Sequence, residues 1–201
     1  MDYAGLPYTI EPMQLEDIDV VIEIERISFP SPWSAYAYQC ELLYNAIAHY
    51  FVARWQGEGL ERSPEAKGLA VLGYGGFRLM AGEAHICTLA VRPSWRGLGI
   101  GELMLATILD KAVELGAAVA TLEVRISNTM AQNLYHKYGF EIVGLRRHYY
   151  IDRDEDALVM STERLASAAF QSRFQALKQA LRKKLMQNLN KIPRCKQRLR
   201  R

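Results

Sequence analysis

The segment Arg96-Gly97-Leu98-Gly99-Ile100-Gly101 follows the apolar run Leu89-Ala90-Val91 and leads into another apolar stretch. It reads as a turn between a strand and a helix. Glycines let a backbone approach a ligand closely. The first N–H groups of a helix lack internal partners and carry the positive end of its dipole. Such a turn binds phosphate, and Arg96 adds a charged donor beside it. The dinucleotide fingerprint fails, because its third glycine would fall on Glu102, and no phosphate-loop motif occurs. The competing reading is a glycine turn needed only for close helix–strand packing.

Glu123 lies in a strand whose alternate residues, Ala118, Ala120, Leu122, Val124 and Ile126, are apolar. A carboxylate in a central strand is costly without a purpose. It reads either as a functional carboxylate or as a salt bridge to Arg125 or to a basic residue on another strand. Burial is expected to raise its pKa. Tyr135 shares a helix face with Ala131, Leu134 and Tyr138, which fits plain packing. Asn128 or Ser127 caps that helix. Cys87 reads as core. His85 and His148 read as structural or surface residues. No cysteine or histidine pair has metal-ligand spacing, so no metal is expected.

These residues must be positioned by alternating elements. Tyr8 to Glu11 is a short extended segment, and Glu16 to Ser28 repeats Ile18, Val21, Ile22, Ile24 and Ile27 at helical spacing. Phe29-Pro30-Ser31-Pro32-Trp33 breaks that helix, and Ser34 caps a second one reaching about Ala46. Strands are expected over Tyr50 to Trp55, Leu69 to Met80 and Glu83 to Val91, with a polar surface loop from Gln56 to Gly68. Gly97 to Leu115 reads as a helix presenting Leu98, Leu105, Ile108, Leu109 and Ala112, and Gly116 ends it. Val119 to Ile126 is a strand, and the next helix stops at Gly139. Glu141 to Ile151 and Asp156 to Ser161 form a closing hairpin. The expected fold is α/β: a mixed, mostly antiparallel central sheet with helices on both faces.

The chain has 201 residues, of which 50% are hydrophobic and 23% charged, enough for a sizeable core and unlike a disordered chain. No apolar run approaches the ~18 residues of a membrane span. The N-terminus shows no secretion signal and the three cysteines form no CxxC pair, so a reducing cytoplasm is expected. The net charge of +3 hides a split. Before residue 164 there are 13 basic and 22 acidic residues, a net of −9; from Arg164 to Arg201 there are 12 basic and no acidic residues, a net of +12.

The Arg-x-x-Gly-x-Gly turn resembles that of the GCN5-related N-acetyltransferase (GNAT) family, which holds the pyrophosphate of acetyl-coenzyme A (acetyl-CoA) there. Three further segments are similar to the RimI-type protein N-terminal acetyltransferases. They are Leu122-Glu123-Val124-Arg125-Ile126-Ser127-Asn128, Leu134-Tyr135-His136-Lys137-Tyr138-Gly139-Phe140, and Arg146-Arg147-His148-Tyr149-Tyr150 with Glu155-Asp156-Ala157. The Phe29-Pro30 to Trp33-Ser34 loop resembles the family's F-P-W-S segment, here with Ser31 and Pro32 inserted. The resemblance covers roughly residues 8 to 162 and implies an acetyltransferase domain over residues 1–162.

It further implies an acetyl-CoA-dependent enzyme that acetylates a protein N-terminus, the terminal alanine of a small-subunit ribosomal protein, by direct attack in a ternary complex. An α-amine has a pKa of about 7.7–8.0, so it must lose a proton, and the departing thiolate must gain one. By resemblance, Glu123 accepts the proton and Tyr135 donates one. Arg96, Gly97, Leu98, Gly99, Ile100, Gly101 and Asn128 contact the cofactor, and Leu89, Ala90 and Val91 offer it backbone groups. Tyr149 and Tyr150 close over the substrate, with Phe29, Trp33 and Tyr36 on the opposite wall. The competing readings are an acetyltransferase for a lysine side chain or small amine, a non-catalytic acyl-CoA- or RNA-binding module, and, for the tyrosines, an ordinary surface ribbon.

Residues 163–201 lie beyond the resemblance. Phe170, Phe174, Leu177, Leu181, Leu185 and Leu189 recur at helical spacing with basic residues between them, and Pro193 ends the pattern. This basic amphipathic extension folds against the acidic body, stays solvated, attaches to ribosomal RNA, or, less favoured, meets an anionic membrane surface.

Overall fold

The computed structural model describes residues 5–56 and 71–189. The expected loop after Gln56, the expected strand start at Leu69 and the chain beyond residue 189 lie outside the described residues. The elements are β1 (Tyr8–Pro12), α1 (Ile18–Ser28), α2 (Ala35–Tyr44), β2 (Ala48–Trp55), β3 (Val71–Met80), β4 (Glu83–Val91), α3 (Ile100–Glu114), β5 (Val119–Arg125), α4 (Thr129–Lys137), β6 (Phe140–Tyr150), β7 (Glu155–Thr162) and α5 (Ala168–Asn188). One seven-stranded sheet runs in the order β1-β2-β3-β4-β5-β7-β6. Every neighbouring pair is antiparallel except β4 and β5, which run parallel. Among the described residues no helix is long and apolar enough to cross a membrane.

Successive strand residues feed opposite faces. Phe51 and Ala53 of β2 join a core with α3 and α5, whereas Tyr50 and Val52 join a second core under α1 and α2. Ile18, Val21, Ile22 and Ile24 of α1 are buried as their spacing demands, but Ile27 stands 55% exposed at the helix end. Ser34 caps α2, its hydroxyl accepting from the Ala37 N–H at 3.1 Å. The third helix starts at Ile100 rather than at Gly97. Gly97 and Gly99 have φ of +78° and +99°, which keeps them out of the right-handed helix.

The amphipathic stripe of α5 is not left in solvent. Phe170, Phe174, Leu181 and Leu185 are buried in the same core as Leu103, Leu105 and Ile108 of α3. The charge split is closed within the fold: Lys178 pairs with Asp110 at 2.5 Å, Lys184 with Glu102 at 2.9 Å and Arg173 with Glu163 at 2.7 Å. Glu102, the residue that breaks the dinucleotide fingerprint, is a buried hub that also takes Lys137 of α4 and the Tyr138 hydroxyl. Burial works against its charge, but the bonds from Lys137 and Lys184 prevail and hold its carboxyl below the usual range.

Truncating Leu181 to alanine is therefore expected to cost about 2–5 kcal/mol in urea unfolding, as a core leucine does, with a single transition retained. The depressed Glu102 carboxyl stabilises the fold above its unfolded pKa of about 4.3. That contribution is lost as pH falls through the lower folded value. Glu102→Gln should flatten the acid limb of stability against pH, followed by circular dichroism.

Candidate active site

The sheet forks at its centre. β4 and β5 are paired only from Glu83 opposite Val119 to Ile86 opposite Leu122. Cys87 is the extra residue of a bulge, because Phe77 faces Ile86 while Gly76 faces Thr88. Beyond it β4 stays with β3, and β5 stays with β7. Arg92 N–H donates to the Leu72 carbonyl at 2.8 Å, and antiparallel alternation then turns Ala90 toward β3. Leu89 and Val91 face the fork. Of the three residues expected to offer backbone groups to a ligand, Ala90 has its own directed to β3.

The glycine turn caps this fork. Among the described residues, no protein acceptor lies in hydrogen-bonding geometry for the amides of residues 97 to 102. The first backbone bond of α3 is that of Leu103 N–H to the Gly99 carbonyl at 2.9 Å. The turn is thus a set of orphan donors at the positive end of a fifteen-residue helix. Arg96 folds back across it: its Nε donates to the Val91 carbonyl at 3.0 Å, and Nη2 reaches Ser28 Oγ at 3.3 Å.

Glu123 follows the last paired residue of β5, its side chain only 6% exposed. The bridge to Arg125 is not made. Instead Glu123 takes His85 of β4, with Nε2 at 3.2 Å from Oε2, and Arg146 of β6, with Nη1 at 3.2 Å from Oε1. The expected upward pKa shift is reversed. The hydrogen bond from His85 outweighs desolvation, the charges of His85 and Arg146 add to it, and the carboxyl sits below its usual range.

His85, read from the sequence as structural or surface, is the residue the fold brings against Glu123. It faces Thr121 across the parallel pair, with Nδ1 at 3.1 Å from the hydroxyl oxygen. That hydroxyl donates to Glu83 at 2.5 Å, so it accepts from Nδ1–H. Nε2, the other ring nitrogen, faces the Glu123 carboxylate. The signal was the two-residue alternation Glu83/His85 opposite Thr121/Glu123, visible only once the strands are known to pair in that register.

Tyr135 projects from α4 against Phe140, with ring centroids 5.7 Å apart, and burial pushes its hydroxyl up to about 12. Asn128, rather than Ser127, caps this helix: its Oδ1 accepts from the Ala131 N–H at 3.2 Å. Tyr150 donates to the Glu123 backbone carbonyl at 3.4 Å. Its hydroxyl is raised chiefly by burial, then by its neighbours Tyr149, Tyr135 and Glu123, so all four share one locality. Arg125 holds the hairpin there. It lies 3.9 Å from the Tyr150 ring centroid and bonds Asp152 at 2.8 Å and Glu155 at 3.1 Å. Tyr149 stands edge-on to Tyr150 at 5.1 Å, with Arg146 over its own face.

The opposite wall is assembled only in part. Phe29 and Trp33 pack on the second core, and Trp33 N–H donates to the buried Glu25 at 3.3 Å, which seats the loop carrying Ser31 and Pro32. Tyr36 is 73% exposed and makes no contact with the Glu123 cluster among the described residues. It lies two positions before the buried Tyr38, and about 200° of helical rotation turns it to solvent. Cys87, expected in the core, is only partly buried and borders the fork, its Sγ donating to the His85 carbonyl at 3.4 Å. His148 is exposed and pairs with Asp154 at 2.5 Å.

Comparison with known proteins places this geometry. The sequence pattern of the Acetyltransferase (GNAT) family matches residues 18–140. A Bacillus subtilis protein named as a [ribosomal protein bS18]-alanine N-acetyltransferase is 40% identical over 148 residues, 74% of this chain and 90% of its own. The N-alpha-acetyltransferase RimI of Mycobacterium tuberculosis is 34% identical over 160 residues, 77% of this chain and 91% of its own. The crystal structure of the ribosomal-protein-S18-alanine N-acetyltransferase from Escherichia coli superposes with a TM-score of 0.66 at 26% identity, covering 77% of this chain and 92% of that one.

The electrostatics of Glu123 can be measured directly. In Arg146→Met the Glu123 carboxyl should titrate at higher pH than in the unaltered protein, seen by carbon-detected NMR. Arg147→Met, one residue along the ribbon, should leave it unmoved.

Proposed function

Because this chain belongs to the GNAT acetyltransferase family, whose enzymes use acetyl-CoA, we propose that it acetylates the N-terminal α-amine of a protein. The substrate we assign is the N-terminal alanine of a small-subunit ribosomal protein, met in the cytoplasm. Relatives named for that reaction, at 40% and 28% identity, support the reading. The observation that carries it is a buried carboxylate on one lip of a split sheet, with a turn of unpartnered amides following the strand that forms the other lip.

The fork and the turn fit the co-substrate. The amides of Gly97, Leu98, Gly99, Ile100 and Gly101 hold the diphosphate, with Arg96 bracing them and Asn128 at the α4 end. Leu89 and the N–H of Val91 pair with the extended pantetheine arm, as a strand edge pairs with a peptide. Acetyl-CoA supplies the activated thioester carbonyl. Glu123, held by His85 and Arg146, takes the proton of the attacking amine. The amine nitrogen bonds the acetyl carbon, the carbon–sulfur bond breaks, and the Tyr135 hydroxyl protonates the departing sulfur. Tyr149 and Tyr150 cover the first residues of the peptide, and Phe29 and Trp33 flank them. No covalent enzyme intermediate is formed.

Glu123→Gln and Tyr135→Phe should each lower kcat by roughly 10²–10⁴-fold, with acetyl-CoA affinity changed less than about threefold. His85→Ala removes the bond that chiefly depresses the Glu123 carboxyl, so the acid limb of kcat against pH should move up in that variant. An alanine-starting peptide should be acetylated well ahead of the same peptide with a blocked N-terminus and a free lysine, or of a polyamine; the reverse order would assign the enzyme to side-chain or small amines. Mass spectrometry of cells with and without the enzyme should show N-termini losing one acetyl group. The basic residues beyond Leu189 add, in our reading, an electrostatic contact with ribosomal RNA. Its affinity should fall steeply with salt and vanish when residues 190–201 are deleted.

A further inference from the structure

α5 lies beyond the residues that match the family pattern, which end at 140. Its C-terminal turn nevertheless reaches the glycine turn. Asn188 Nδ2 donates to the Leu98 carbonyl at 3.0 Å. A Cβ built on Gly99 would stand 3.0 Å from Leu185 Cδ2. One step further along α3, Lys184 bonds Glu102 at 2.9 Å. Three successive contacts from α5 therefore fall on residues 98, 99 and 102.

We infer that α5 positions the diphosphate turn, with Asn188 as the positioning residue and Leu185 as its support. This rests on the reading of that turn as the diphosphate site. Asn188 is 5% exposed and continues the buried stripe of Leu181 and Leu185 at helical spacing. Packing alone would put a leucine there, and burying an amide without a partner is costly. Its amide is used on one carbonyl.

The consequence follows from peptide geometry. In a planar trans peptide the carbonyl of one residue and the N–H of the next point in opposite directions. Drawing the Leu98 carbonyl toward α5 turns the Gly99 N–H away from α5, to the open side of the turn. That N–H is one of the orphan donors. Gly99 holds φ +99° with Leu185 close behind it, so a side chain at this position would be strained. The turn is thereby set for an anion before one arrives, and binding does not have to order it. Asn188 touches no ligand and acts through Leu98.

The test compares acetyl-CoA with S-acetylpantetheine, which lacks the diphosphate, by calorimetry and steady-state kinetics on the full chain. The unaltered protein should bind acetyl-CoA far more tightly. Asn188→Leu keeps the branching at Cγ and removes the donor. It should raise the acetyl-CoA Kd and KM by about 5–10-fold, the worth of one such hydrogen bond. kcat at saturation and the peptide KM should stay within twofold, and S-acetylpantetheine affinity should not change. Leu185→Val, a milder change, should act in the same direction by about two- to threefold. Gln187→Ala, on the exposed side, should do nothing. If Asn188→Leu leaves acetyl-CoA affinity intact, or weakens both ligands equally, the positioning role is overturned. If the unaltered protein does not discriminate between the two ligands, the diphosphate reading itself fails, and this inference with it.

Discussion

Everything functional in this fold depends on where one parallel strand pairing stops. β4 and β5 share four facing positions and then separate, each kept by its other neighbour. Past that point two strand edges face each other without bonding, and unpaired backbone groups inside a sheet demand a partner. Leu89 and Val91 on one lip and Glu123 on the other gain their meaning from this separation. A continuous sheet would bury the same residues as ordinary ladder positions. The bulge at Cys87 sits at the divergence, and the helix-opening glycines follow the end of the strand that bounds the groove.

Buried carboxylates punctuate the protein, and each is accommodated differently. Glu25 is met by the hydroxyls of Tyr38 and Tyr74 and by the Trp33 amide. Glu41 takes both arms of Arg78 as well as Tyr50 and Asn45; against the opposing pull of burial, these bonds hold its carboxyl below the usual range. Glu102 gathers two lysines. Glu123 differs because its partners are an imidazole from β4 and a half-exposed arginine from β6. The first three arrangements join packed elements. The fourth lies where two strands part.

Much of this was legible in the sequence, for reasons that differ by residue. The turn at 96–101 and the helix caps at Ser34 and Asn128 are local chemistry, and local chemistry is written in adjacent residues. Glu123 stood out because it interrupts an apolar alternation. His85 did not, since its significance depends on which residue of another strand it faces, a register that no single segment encodes. The same limit hid the origin of the Glu123 pKa: burial could be inferred from the strand, but Arg146 arrives from β6 through an irregular register. Tyr36 was placed at the substrate wall from its neighbours' resemblance, whereas helical phase turns it outward. The stripe on α5 was plain in the sequence; that α3 would cover it was not, because amphipathic helices declare a face and not its partner.

Leu98 and Asn188 are separated by 90 positions in the chain. A nascent polypeptide exposed through Thr162 already contains the fork, the glycine turn and the two residues we assign to proton transfer, yet lacks the helix that seats the turn. Contacts of such sequence separation form late, after loop closure has been offset by other packing. In the function we propose, competence to grip the nucleotide end of the carrier thus matures after the groove itself, and a chain interrupted before α5 would present that groove with its handle still loose.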